Sequence, residues 1–351
     1  MAYRLKLKEP LVKGVRRIAA EQLANAAARL QGDSDPESGI HEARKSLKRT
    51  RALLRLVRPG LGEQQYRKSN DRLRDVARML SAARDRDVVR GHLGRMTQAE
   101  SSGGKAKQSG AQAKPSVIEA KPSVIKANPL IAKAARRLSA ALEQAAERQA
   151  PEDGAGPRAP ARNMAEALVE IDAVRGDLAE IGLQPASFET IVAGLAKSHR
   201  SGCKALVLAL SNSDEEEALH DLRKAAQAYW RQMILVQQAW PEVCLARAAA
   251  AKQVADLLGQ DHDVALLESV LAGPEAQVLT AAERGALNRY CTARHAELRN
   301  AALPKAQRLF AERSERLGAR MRYLWEVSRK AARAGVTRAV ADETAGARKS
   351  S

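Results

Sequence analysis

Five residues at helical spacing carry the strongest chemical signal in the chain: His41, Arg44, Lys48, Arg51 and Arg55. They stand at i, i+3, i+7, i+10 and i+14, so a helix of 3.6 residues per turn lines them up on one face. Lys45 and Ala52 flank the row, and Glu42, the one acid in the stretch 38–58, lies off it. Cations three or four residues apart on a helix repel by about 0.2–0.5 kcal/mol per pair. A solvated face normally avoids this by interleaving both signs. A row that accepts the repulsion repeatedly suits an anion that carries many charges. The opposite stripe, Ala43, Leu47, Thr50, Leu54 and Val57, gives the helix a core to sit on. On pattern alone, a plain solvated face stays open as the alternative.

Other cations share helical faces. Arg67, Arg74 and Arg78 fall at i, i+7 and i+11, with Asp71 among them. Lys197, Arg200 and Lys204 fall at i, i+3 and i+7, and Arg17 shares a face with Lys13. Two carboxylate pairs, Asp85 with Asp87 and Asp261 with Asp263, have the spacing of an acid/base or Mg²⁺ site. Each precedes an apolar helical turn, and N-capping is the stronger reading. A histidine at a helix start is often a packing residue, so His41 and His220 carry that alternative beside an anion-binding role. His92, His199, His262 and His295 share no spacing and read as structural. No H-E-x-x-H or C-x-x-C occurs, so no metal site or cofactor is expected. No phosphate-binding loop, G-x-S-x-G or kinase motif appears, and no nucleophile stands out. The expectation is a binding protein and not an enzyme.

Composition agrees with a polyanionic partner. Lys plus Arg is 59 against 41 for Asp plus Glu, a formal charge of +18 over 351 residues. Such a balance points to nucleic acid, an anionic membrane or a phosphate polymer. Cys203, Cys244 and Cys291 are odd in number and widely spaced, as expected of unpaired thiols in a reducing compartment. The longest clean apolar run, Ala205–Leu210, is far short of a membrane span. No signal peptide opens the chain, and a soluble cytoplasmic protein is expected.

Period 3.6 dominates throughout, and no stretch alternates with period two. The spacing predicts helices over 9–31, 36–58, 63–83, a short one from Asp85, then 130–149, 162–182, 187–210, 214–239, 242–259, 262–272, 275–302 and 304–333. Asp35 reads as an N-cap, Pro59-Gly60 as a stop, and Gly259, Gly273-Pro274 and Pro304 as breaks. Residues 99–129 are Ser, Gly, Lys, Gln and Ala-rich and hold a duplication, Ala113–Ile118 recurring as Ala120–Ile125. They read as a disordered low-complexity insertion. Residues 336–351 read as a flexible tail.

Self-comparison reveals a repeat. His41-Glu42-Ala43-Arg44-Lys45 returns as His220-Asp221-Leu222-Arg223-Lys224, offset by 179. Gly14 and Arg17 correspond to Gly194 and Lys197, and Asp85–Val88 to Asp261–Val264. The order is kept. The expected fold is therefore all-α: two pseudo-repeated antiparallel helical bundles, 1–182 and 186–335, around a basic groove or pore. Two-fold pseudo-symmetry would bring the two His-bearing helices towards a common axis. The second copy is less basic, with Gln227 and Trp230 where the first has Lys48 and Arg51. Arg231 pairs with Ala52 under the offset and matches no member of the His41 row.

H-x-x-R-K followed by further Arg and Lys at helical spacing, twice in an all-helical chain, resembles the CHAD domain (conserved histidine α-helical domain). Glu9-Pro10, the helix Val15–Leu30, the D-x-D-V segments and the Arg-rich last helix are similar too. The resemblance implies helical bundles around a basic groove that binds inorganic polyphosphate. Members stand alone or behind a triphosphate-tunnel β-barrel, for which no strand-rich segment is present. On this reading the ligand contacts are Arg17, His41, Arg44, Lys45, Lys48, Arg51, Arg55, Arg74, Arg78, Lys197, Arg200, Lys204, His220, Arg223 and Lys224. A place on polyphosphate granules is implied, with granule proteins as further partners. Two rival functions stand beside it. DNA-backbone binding fits the charge, though three Trp, five Tyr and two Phe leave little for base stacking. Tyr229, Trp230, Trp240 and Trp325 read as core or interface residues. A granule scaffold acting through helix–helix contacts is the other.

Overall fold

The computed structural model describes residues 3–32, 36–80, 84–101, 128–148, 158–211 and 216–347. Asp35 and almost all of the low-complexity insertion lie outside the described residues. Among these residues there are eleven α-helices and no strand. They are α1 (Leu11–Gly32), α2 (Pro36–Leu61), α3 (Glu63–Met79), α4 (Arg84–Ser101), α5 (Pro129–Arg148) and α6 (Arg158–Ala179). Then come α7 (Phe188–Ser211), α8 (Glu216–Leu235), α9 (Pro241–Leu271), α10 (Ala281–Leu309) and α11 (Ser314–Ala347). Short 3₁₀ turns at Gln237–Ala239 and Pro274–Val278 join the last helices.

The chain forms two compact units. The first takes Met1–Leu80, Arg162–Ala255 and Lys305–Ser351; the second takes Ser81–Ala161 and Asp256–Pro304. Each unit thus draws helices from both sequence halves.

In the first unit α2 is the hub and packs on α1, α3, α7 and α8. The predicted apolar stripe, Ala43, Leu47, Thr50, Leu54 and Val57, is wholly buried. Leu53 and Leu56 are buried as well. The buried arc is wider than one stripe because four helices surround α2. The approach to α7 is close: a methyl group added at Gly194 would lie 1.7 Å from the Leu56 carbonyl oxygen. Pro59 sits inside the last turn of α2 and does not stop it. So near the helix end the missing N–H costs a single bond, to the carbonyl four residues earlier, and little helix follows the ring. The stop falls at Gly62, whose φ of 84° favours glycine.

In the second unit α4 packs on α5, and α5 on the Pro274–Val278 turn. Gly259 does not break α9, and Pro304 does not break α10. A helix-interior Gly costs only about 1 kcal/mol, and around Gly259 the burial of Leu257, Leu258 and Val264 outweighs it. α10 begins at Ala281, not 275, because Thr280 and Glu283 form a capping box. Thr280 N donates to Glu283 Oε2 at 2.9 Å, and Glu283 N to Thr280 Oγ1 at 3.2 Å. α11 continues to Ala347, through most of the stretch read as a tail.

Asp261 is a correction to the capping reading. It lies in mid-helix, buried, and meets α10. His295 Nδ1 stands 2.6 Å from Asp261 Oδ1, and its Nε2 3.2 Å from Glu268 Oε2. Arg299 Nε donates to the same Asp261 oxygen at 3.0 Å. Two acceptors at two ring nitrogens favour the imidazolium. Burial pulls the His295 pKa down, but the hydrogen bond and charge of Asp261, with Glu268, outweigh burial and the opposing Arg299, so it ends above its ordinary value. A raised folded-state pKa stabilises fully below the unfolded value near 6.5 and is lost as pH rises through the raised one. Replacing His295 by Ala is therefore expected to cost about 1.5–3 kcal/mol at pH 6 and less at pH 8, measured by urea denaturation. Equal losses at both pH values would mean that His295 is not charged in the fold.

Candidate anion-binding groove

Two adjoining cavities of the first unit open beside α2. The first, about 150 Å³, is lined by Lys48, Arg51, Ala52 and Arg55 of α2 and by Lys224, Gln227, Ala228 and Arg231 of α8. The second, about 380 Å³, is lined by Arg55 and Arg58 of α2, Tyr66 of α3, Lys197, Ser198, Ser201, Lys204, Ala205 and Leu208 of α7, and Asp221, Lys224, Ala225 and Ala228 of α8. Arg55, Lys224 and Ala228 border both. The helices that carry the two repeated motifs, α2 and α8, are thus in contact and share one basic wall. Asp221 is the one carboxylate among the lining residues.

The packing explains why the cations collect here. α2 buries its apolar arc against four neighbours, which leaves the Lys48–Arg55 side as the face that borders the gap. α8 does the same with Leu222, Ala226, Tyr229 and Met233 buried. Its opposite positions Lys224, Gln227 and Arg231 stand at i, i+3 and i+7. Ala52 and Ala228 are small, so the backbones come close without filling the gap.

The charge is strained by its own company. Arg51 donates from Nε to Asn70 Oδ1 at 3.1 Å. Burial first, then Arg55 and Arg74, hold the Arg51 guanidinium below its ordinary pKa against the opposing pull of Tyr66 and Asp71. An anion in the gap would relieve that repulsion. Arg55, Lys197 and Lys204 form no ion pair among the described residues. Arg58 is pinned to Glu63 at 2.7 and 2.6 Å and lies over the Tyr66 ring at 4.5 Å, which fixes the α2–α3 corner. Arg231 lies over Trp230 at 4.2 Å and donates to the Gln227 carbonyl oxygen at 2.6 Å.

The fifteen expected contacts divide. Lys48, Arg51, Arg55, Lys197, Lys204 and Lys224 line the cavities. Arg44 reaches α3 instead, donating to the Ala77 carbonyl oxygen. Lys45 pairs with Glu42 at 2.6 Å, and Lys224 with Asp221 at 3.0 Å. His41 is exposed on α2, and His220 and Arg223 are half-buried on α8; none of the three lines either cavity. Arg74 meets Asp71 and Asp75, and Arg78 meets Asp75. Arg200 pairs with Glu315 of α11. Arg17 is held by both oxygens of Glu9, at 2.9 and 2.8 Å, and by Glu21 at 3.4 Å.

Sequence reasoning missed Arg231, Arg58 and the serines Ser198 and Ser201. The repeat offset set Arg231 against Ala52 and so discounted it. The better signal was its spacing on its own helix, seven residues after Lys224. Arg58 was legible as a cation of α2, but only the Gly62 corner turns it toward Tyr66 and the second cavity.

No curated protein and no solved structure matches the chain. A family model described as CHAD domain matches residues 17–272. That range holds α2, α3, α7 and α8, the helices that line both cavities, and covers well over half of the 351 residues. The chain belongs to the CHAD domain family.

Proposed function

We propose that the groove beside α2 binds inorganic polyphosphate and does not turn it over. The family is linked to polyphosphate binding. The observation that carries the reading for this chain is the shared wall: Arg55 and Lys224 border both cavities, so one phosphate chain in the first continues into the second. Guanidinium groups bond phosphate oxygens in pairs, and lysines add point charge. Many weak contacts along one chain sum to high avidity. Gaps of about 150 and 380 Å³ admit a single file of phosphates. A duplex, whose major groove alone is about 12 Å wide, stays outside. The lining offers Asp221 alone as a carboxylate, and it faces Lys224, which supports binding without hydrolysis. The two pseudo-repeated halves would then share one groove, with α2 supplying more of its charge. Association with polyphosphate granules follows from the ligand.

The deciding experiment sets long-chain polyphosphate against duplex DNA of equal charge at fixed ionic strength. Polyphosphate is expected to displace labelled polyphosphate at concentrations at least tenfold lower than DNA does. Displacement at equal concentrations overturns the reading in favour of backbone-only nucleic-acid binding. Phosphate release in the presence of Mg²⁺ overturns the non-catalytic part.

A further inference from the structure

Another cavity of the first unit lies outside the groove. Its volume is about 290 Å³, near the lower end of the ~300–1,000 Å³ typical of small-molecule sites. It is bounded by the segment that leads into α1, by the corner Ala186–Phe188 and by α11. The leading segment is tied down. Leu5 N donates to the Leu235 carbonyl oxygen at 2.9 Å, and Leu7 N to Gln238 Oε1 at 2.8 Å. One wall is apolar: Phe188 and Trp325 stack with centroids 4.3 Å apart and planes 6° from parallel. Leu5 and Leu7 extend that wall.

The rim is cationic. Lys6, Lys8 and Arg329 are exposed there; Lys6 lies within reach of the Glu9 charge, while Lys8 and Arg329 form no ion pair among the described residues. Other arginines of α11 differ: Arg320 bonds Glu312 at 2.7 Å, and Arg322 pairs with Glu189. Glu9 also borders the cavity, but Arg17 occupies both of its oxygens. An apolar wall below a rim where cations outnumber the one carboxylate, itself held by Arg17, complements a molecule with an apolar body and an anionic head.

We infer that this cavity is a second binding site, for a phosphate monoester with an apolar body. The body leaves water against Trp325, Phe188 and Leu7. The head meets the Arg329 guanidinium in paired hydrogen bonds, with Lys6 and Lys8 adding charge. Inorganic phosphate lacks the body, and polyphosphate has no apolar part to bury, so neither uses the whole site.

Calorimetry on the full chain tests this with 1-naphthyl phosphate, octyl phosphate and inorganic phosphate, each with and without saturating long-chain polyphosphate. At least one monoester is expected to bind once per chain, at least tenfold more tightly than inorganic phosphate and equally well with polyphosphate present. Preference for the naphthyl ester identifies a flat body, and preference for the octyl ester an alkyl one. Arg329→Glu, at an exposed position, is expected to weaken the monoester at least tenfold and to change polyphosphate binding less than twofold. The inference fails if neither ester binds, if polyphosphate displaces the ester, or if Arg329→Glu changes nothing. If polyphosphate itself does not bind, the groove reading falls, and the ester titrations with Arg329→Glu still decide this one.

Discussion

Arg55→Glu combined with Lys204→Glu weakens polyphosphate binding at least 100-fold. The pair removes two positive charges and adds two negative ones along one wall. Arg55 borders both cavities and Lys204 the larger. Neither forms an ion pair among the described residues, so reversal breaks none there. Both side chains reach solvent, which leaves the helices their packing. Binding also loses salt dependence, because fewer counter-ions are released when fewer cations engage phosphate. Titration of labelled polyphosphate at two salt concentrations reads both effects, with circular dichroism as the check on helicity. Lys45→Ala is the matched control. Its charge already meets Glu42, and its removal is expected to change affinity less than threefold. A double reversal that binds within threefold of the unaltered chain would place the ligand elsewhere.

Gly194→Ala lowers stability by about 3 kcal/mol, although alanine is the better helix former by about 1 kcal/mol. The added methyl would lie 1.7 Å from the Leu56 carbonyl oxygen. That atom is backbone inside α2, so no rotamer change relieves the clash; one helix must move. Both helices contribute walls to the larger cavity, and polyphosphate affinity is expected to fall with stability. Gly176→Ala on α6 makes the comparison fair. Nothing lies within 4 Å of its added methyl, and the substitution is expected to stabilise by about 0.5–1 kcal/mol. Urea midpoints of the two variants should shift in opposite directions. A Gly194→Ala protein as stable as the unaltered chain would mean that α2 and α7 are not in close contact.

Glycines at corresponding positions behave differently in the two copies of the repeat. Gly14 and Gly194 match by offset, yet the atoms nearest a methyl group at Gly14 are ends of the Glu9 and Leu5 side chains, at 3.0 Å and beyond. Side-chain ends can shift where a backbone carbonyl cannot. The repeat therefore conveys position along the chain and not the contact each position makes.

Local periodicity was enough for the all-helical class, for the buried stripe of α2 and for the cationic row opposite it. Those follow from the 3.6-residue repeat of a helix, which the order of residues alone sets. The family was legible for the same reason, since its motif is a spacing on one helix. Breaks at Gly259 and Pro304 were misread because tertiary burial outweighs a local cost of about 1–3 kcal/mol. Asp261 reads as a cap by its neighbours in sequence, and its partners His295 and Arg299 lie 34 and 38 residues away. Arg17 reads as a cation available to a ligand, and Glu9 matches its charge from the segment ahead of α1. Periodicity tells which side of a helix a charge is on. Which charge stands across the gap depends on how helices pack, and packing alone set Arg231 beside Lys48, Arg51 and Arg55.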